Sequence, residues 1–96
     1  MSEDREDSIK ETVAVLEEVL DERDRQDQKW GKQNHDPAWW MTILGEEFGE
    51  ACEAALQAAF DNDGPDRPWS DYREELIQIA AVAVAATECL DRSGLA

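Results

Sequence analysis

Glu46, Glu47 and Glu50 stand in an acid-acid-x-x-acid spacing, and Glu75 follows downstream with Gln78 three residues beyond it. On a helix advancing about 100° per residue, Glu47 shares a face with Trp40, Ile43, Leu44, Ala51, Ala54 and Ala58, with Glu50 one turn along. Glu75 shares a second face with Tyr72, Ile79, Val82, Ala86 and Leu90, and Gln78 sits at its edge. Acids thus fall where two helices should bury hydrocarbon. An unpaired carboxylate in such a seam costs several kcal/mol or takes up a proton, and like charges three or four residues apart add repulsion. No Lys or Arg lies on either stripe to offset them. A divalent cation would, and an all-oxygen ligand set suits Mg2+ or Mn2+ better than zinc.

Acidic pairs also arise by composition, because 24 of the 96 residues are Asp or Glu. Glu17-Glu18 and Asp21-Glu22 fit a solvated surface, since they lie largely off the stripe Ile9, Val13, Leu16 and Leu20. Glu47 and Glu75 do not fit it, and position, spacing and duplication together favour a metal site.

Three long helices must position these residues. The first is expected over residues 8–29, with Ile9, Val13, Leu16 and Leu20 as its core stripe and residues 1–7 as an acidic flexible tail; residues 8–96 then form one helical domain. Beyond Leu20 the stripe turns polar, through Arg23 and Asp27 to the neighbouring Trp30, so this half of the helix reads as the wall of a pocket. Asp36-Pro37 supplies a cap and a first-turn proline for a second helix reaching about residue 60. Residues 61–68 are rich in turn formers; they lack the calcium-loop pattern, because Ser70 stands where the closing glutamate belongs and Ala59 where the first acid belongs. The third helix is expected from residues 69–71 to residue 92, with Gly94 near its cap.

A chain of this length makes one small domain that buries only about two thirds of its surface alone. Residues 77–86 are apolar or small on nearly every face, and the far side of the second helix carries Gly45, Gly49, Cys52, Leu56 and Phe60. Both features point to a second subunit, giving a homodimer or homotetramer. The apolar run is too short to span a bilayer, and the N-terminus lacks the basic start and apolar stretch of a secretory signal, which predicts a cytoplasmic protein with no membrane partner. Cys52 and Cys89 form no zinc or redox pattern and read as packed, reduced thiols.

The formal net charge of −15 argues against nucleic acid as a partner, since phosphate backbones need a basic face. A free nucleotide would also be repelled unless metal ions and a few local cations reversed the field. No glycine-rich phosphate loop, nucleophile elbow or histidine pair is present, so Walker-type, hydrolase-elbow and zincin chemistry lack support. The lone His35 reads as a loop hydrogen-bonder.

In these residues the chain resembles the MazG-like family of all-alpha nucleoside triphosphate pyrophosphohydrolases. The family pattern, acid-acid-x-x-acid on one helix and acid-x-x-Asp on the next, is matched by Glu46-Glu47-x-x-Glu50 and Glu75-x-x-Gln78. The stretch from Glu22 to Gly31, leading into Asn34 and His35, is also similar to small MazG-like proteins. The resemblance implies an all-alpha bundle of three long helices completed by homo-oligomerisation. It implies a Mg2+-dependent enzyme, with Mn2+ as a substitute, that cleaves a nucleoside triphosphate to the monophosphate and pyrophosphate by attack of water on the alpha phosphorus. Glu47, Glu50, Glu75 and Gln78 would then hold metal, and Glu46 would hold a further ion or orient the water. Trp30, Asn34 and His35 would meet the base, with Trp39, Trp40 and Trp69 as further aromatic candidates and Trp40 assigned to the core. Arg23, Lys29, Lys32 and Arg73 would meet phosphates. Gln78 departs from the pattern, because a glutamine carbonyl coordinates Mg2+ without contributing charge. Two alternatives follow: a catalytically weak nucleotide-binding regulator, or a non-enzymatic acidic helical protein that presents carboxylates in place of phosphates.

Overall fold

A computed structural model describes residues 2–60 and 69–96, which form three helices: α1 (Glu3–Trp30), α2 (Pro37–Phe60) and α3 (Ser70–Ser93). The turn-rich segment 61–68, and with it the rejected calcium loop, lies outside the described residues. No strand occurs among the described residues, and no helix there is long and apolar enough to cross a membrane.

The caps explain the helix ends. The Ser2 hydroxyl accepts a hydrogen bond from the Arg5 N–H at 3.3 Å, and Glu3, Asp4 and Glu6 complement the positive end of the helix dipole. Helix α1 therefore starts well before residue 8 and takes in most of the acidic segment expected to be a flexible tail. It stops at Gly31, whose φ of 71° is a conformation that glycine adopts without strain. Asp36 Oδ1 accepts from the Trp39 N–H at 2.9 Å ahead of Pro37, as its sequence position predicts. Gly94, at φ 76°, closes α3.

Helix α3 is central. Along it α2 runs antiparallel, pairing Trp40 with Val82, Ala85 and Cys89 in the core, with Ile43, Leu44 and Ala86 packed around them. The predicted seams of α2 and α3 face each other, with Ala51 and Val82 buried and Ile79 and Leu90 half-buried. Helix α1 runs parallel to α3, tied by Glu18 to Arg73 and by Arg23 to Glu88. Among the described residues no close backbone approach joins α1 to α2, so a cleft floored by α3 opens between them.

Two expectations for α1 need correction. Its stripe Ile9, Val13, Leu16 and Leu20 is not core: these side chains keep 44, 45, 57 and 68% of their surface exposed. Instead α1 turns a different face toward α3, burying Val19 and Glu22 and half-burying Arg23 and Gln26. Glu22, read as a solvated acid, is only 8% exposed. The periodicity located an apolar stripe correctly but could not tell whether the bundle covers it. Cys89 is packed as expected, donating its thiol hydrogen to the His35 carbonyl at 3.4 Å, whereas Cys52 is exposed on the outer face of α2. Met41, Phe48, Leu56 and Phe60 are exposed on α2 as well.

Candidate metal centre

Antiparallel packing of α2 on α3 brings the two acidic spacings level. Glu47 and Glu50 from α2 and Glu75 from α3 each present a carboxylate oxygen, all within 4.8 Å of one another. Glu47 and Glu75 are half-buried, and Glu50 is exposed. Glu75 Oε2 is shielded from solvent and has no hydrogen-bond partner among the described residues. An oxygen in that state carries a desolvation cost that a bound cation removes.

The electrostatics agree with the geometry. Burial pushes the Glu47 carboxyl above the ordinary carboxylate range, and the charge of Glu50 raises it further; a hydrogen bond with Glu75 acts in the opposite direction, and Glu46 and Glu22 add smaller upward pushes. Glu75 is also raised, first by burial and then by the charges of Glu50 and Glu47. Without a cation, this cluster therefore favours retaining a proton. The donor set consists of carboxylate oxygens and is open on the Glu50 side, which fits an oxygen-preferring ion that keeps waters, such as Mg2+ or Mn2+.

Beside the cluster lies the cleft between α1 and α2, with a volume of about 480 Å³. Glu47 and Gln78 stand at its acidic end with Glu22 and Arg25, and Trp30, Gln33 and Trp40 stand at the other. Gln26, Lys29, Ile43 and Val82 line the span between. Lys29 places its ammonium 4.5 Å from the centroid of the Trp30 ring. Arg25 reaches Glu22 Oε1 through Nη2 at 2.7 Å and Nε at 2.9 Å.

The other residues singled out from the sequence distribute unevenly. Glu46 is exposed and lies outside the three-oxygen cluster. Arg23 is engaged away from the large cleft, donating to Glu88 Oε1 at 2.8 Å from Nη2 and to Gln26 Oε1 at 3.1 Å, beside Asp27. It lines a small separate cavity with Lys32, Gln33 and Arg92. Asn34 accepts from Arg92 through Oδ1 at 3.0 Å. His35 packs its ring against Trp40, centroids 5.0 Å apart, and lines an apolar pocket with Met41 and Leu90. Arg73 makes a two-pronged pair with Glu18, which holds the Glu18 carboxyl below its usual range. Trp69 packs edge-on against Tyr72.

The structure therefore keeps Trp30 and Lys29 at the cleft and places Asn34 and His35 elsewhere. It adds Glu22, Arg25, Gln26 and Gln33. A helical projection of α1 places Glu22, Arg25, Gln26 and Lys29 on one face, so the signal was present once that face was chosen over the apolar stripe. No protein-family model matches the chain, and no curated protein or solved structure is significantly similar to it.

Proposed function

We propose that this protein is a Mg2+-dependent nucleotide pyrophosphohydrolase that cleaves a nucleoside triphosphate to the monophosphate and pyrophosphate. The observation that carries this reading is the cluster of half-buried Glu47 and Glu75 with exposed Glu50, with its unpartnered Glu75 oxygen, beside a cleft that Glu47 lines and that bears cations and an aromatic ring. Glu47, Glu50 and Glu75 would hold the ion, with the Gln78 carbonyl as a neutral neighbour. When bound, Mg2+ supplies charge neutralisation on phosphate oxygens and a more acidic water. Arg25 and Lys29 orient the polyphosphate from the α1 wall, and Trp30 offers a face for the base at the far end. Glu46, next to the cluster, orients the attacking water; Glu46→Gln kinetics test that role. The family resemblance of the acidic spacings supports the reaction class.

A nucleotide-binding protein with weak catalysis is the second reading, and Gln78 motivates it, since the cluster has three charges where the resembling pattern has a further acid. One assay separates the two. Purified protein is incubated with a panel of nucleoside triphosphates, with Mg2+, Mn2+ or chelator, and pyrophosphate is measured. Metal-dependent release that disappears in Glu47→Gln is expected. Nucleotide binding without release would favour the binding protein, and the absence of metal and nucleotide binding would overturn both.

A further inference from the structure

The N-terminal half of α1 projects beyond the bundle: every residue from Glu3 to Glu17 is exposed, and Val19 is the first buried one. A segment of this length is marginal as a lone helix in water, yet it carries the apolar stripe Ile9, Val13, Leu16 and Leu20. The spacings of four, three and four residues are those of a coiled-coil seam rather than of a helix laid on a flat core.

The geometry points to a second copy of this chain as the occupant, with the two α1 helices paired antiparallel about a two-fold axis level with the junction of Ala14 and Val15. In that register Val13 packs against the partner's Leu16 and Ile9 against the partner's Leu20, so the same patch is complementary to itself. Lys10 and Glu17 flank the seam on one side. Antiparallel pairing sets Lys10 beside the partner's Glu17, twice by symmetry. The outermost flank, Glu3 beside the partner's Asp24, is the like-charged exception. Parallel pairing would instead set Lys10 beside the partner's Arg5 and Glu6 beside the partner's Glu6. Charge thus selects one orientation in a helix that is strongly acidic at its start.

The stripe lies on the opposite side of α1 from Glu22, Arg25 and Lys29, judged by 100° per residue. A partner seated there leaves the cleft open. The interface goes beyond the proposed function and does not depend on it. With two apolar layers on each side of the axis, it falls at the small end of specific interfaces, so association should depend on concentration.

Sedimentation equilibrium of the whole chain from about 1 to 300 micromolar tests the assignment. Expected is a reversible shift from the 10.9 kDa monomer to twice that mass. Leu16→Glu with Leu20→Glu should hold the protein at the monomer mass. Lys10→Glu alone or Glu17→Lys alone should raise the dimer Kd about tenfold, and the double swap should restore it. A monomer at every concentration, a dimer indifferent to the Leu16 and Leu20 changes, or a double swap that fails to restore association would overturn the proposal. If the apolar variant loses its helical circular dichroism, the charge series alone decides. Pyrophosphate release by the Leu16 and Leu20 variant is a separate readout, so failure of the interface and failure of the proposed activity remain distinguishable.

Discussion

The α2–α3 seam has two ends built on the same helical periodicity and opposite chemistry. At one end Trp40 meets Val82, Ala85 and Cys89 in the protein's buried cluster. At the other, about two helical turns along α2, the corresponding stripe positions hold Glu47 and Glu75 facing each other with Glu50 beside them. The first end gains free energy from every apolar contact. The second spends some of it, because two carboxyls are half-buried with like-charged neighbours and no Lys or Arg among the described residues offsets them. In a small domain of marginal stability, such a cluster is a cost that function can explain and packing cannot. The two ends should therefore respond to substitution in opposite ways.

The largest effect is expected at the apolar end. Trp40→Ala removes the indole from the core, and a deletion of that kind costs about 3–5 kcal/mol, enough to unfold much of a domain this small; thermal melts followed by circular dichroism would measure it. At the acidic end, Glu47→Gln or Glu75→Gln should lower metal-dependent pyrophosphate release by about 100-fold or more, the loss expected when a ligand of the reacting ion goes. The same variants should melt no lower than the parent in chelator. A clear drop in melting temperature would show that these acids hold the fold together and would remove the contrast between the ends.

Proton concentration sharpens the same contrast. The Glu47 and Glu75 carboxyls are raised above their unfolded values, so their contribution to stability is fully present below the ordinary carboxylate range and is lost as pH rises through the raised values. Metal-free protein should therefore gain melting temperature as pH falls from neutral toward that range, and Glu75→Gln should flatten the gain. Glu18 acts in the opposite direction, because its lowered pKa makes the Arg73 pair stabilising above the ordinary range and lost only at more acid pH. A Mg2+ ion held as proposed would require the deprotonated cluster, so any melting shift it produces should shrink with acidification.

The legibility of the chain followed the same division. The helix ends at Asp36-Pro37 and Gly94, the facing seams of α2 and α3, and the meeting of Glu47 with Glu75 were all readable, because periodicity and capping are local properties of the chain. Helix α1 was misread. Its strongest apolar stripe is exposed, and its packing face carries Val19, Glu22 and Arg23, where burial depends on a cleft and an ion-pair network that no local pattern encodes. Glu22 and Arg25 were missed for that reason. Asn34 and His35 were grouped with Trp30 through the resemblance, but beyond the turn at Gly31 Asn34 pairs with Arg92 and His35 lines the apolar pocket with Met41 and Leu90.

The smallest expected effect lies at Gln78, where the two ends of the seam grade into each other. Gln78 lines the cleft beside Glu47 and stands one helical turn from Glu75 toward Val82. A carboxylate here would add charge to the cluster and draw a bound cation more strongly, while also increasing repulsion among acids that are already reluctant to ionise. Gln78→Asp should therefore raise Mg2+ affinity about tenfold, a gain of roughly 1.4 kcal/mol, while lowering the melting temperature in chelator at neutral pH. Titration calorimetry and paired melts with and without Mg2+ read both changes. Unchanged affinity would place Gln78 outside the reach of the ion, and the acidic end of the seam would then stop at Glu47, Glu50 and Glu75.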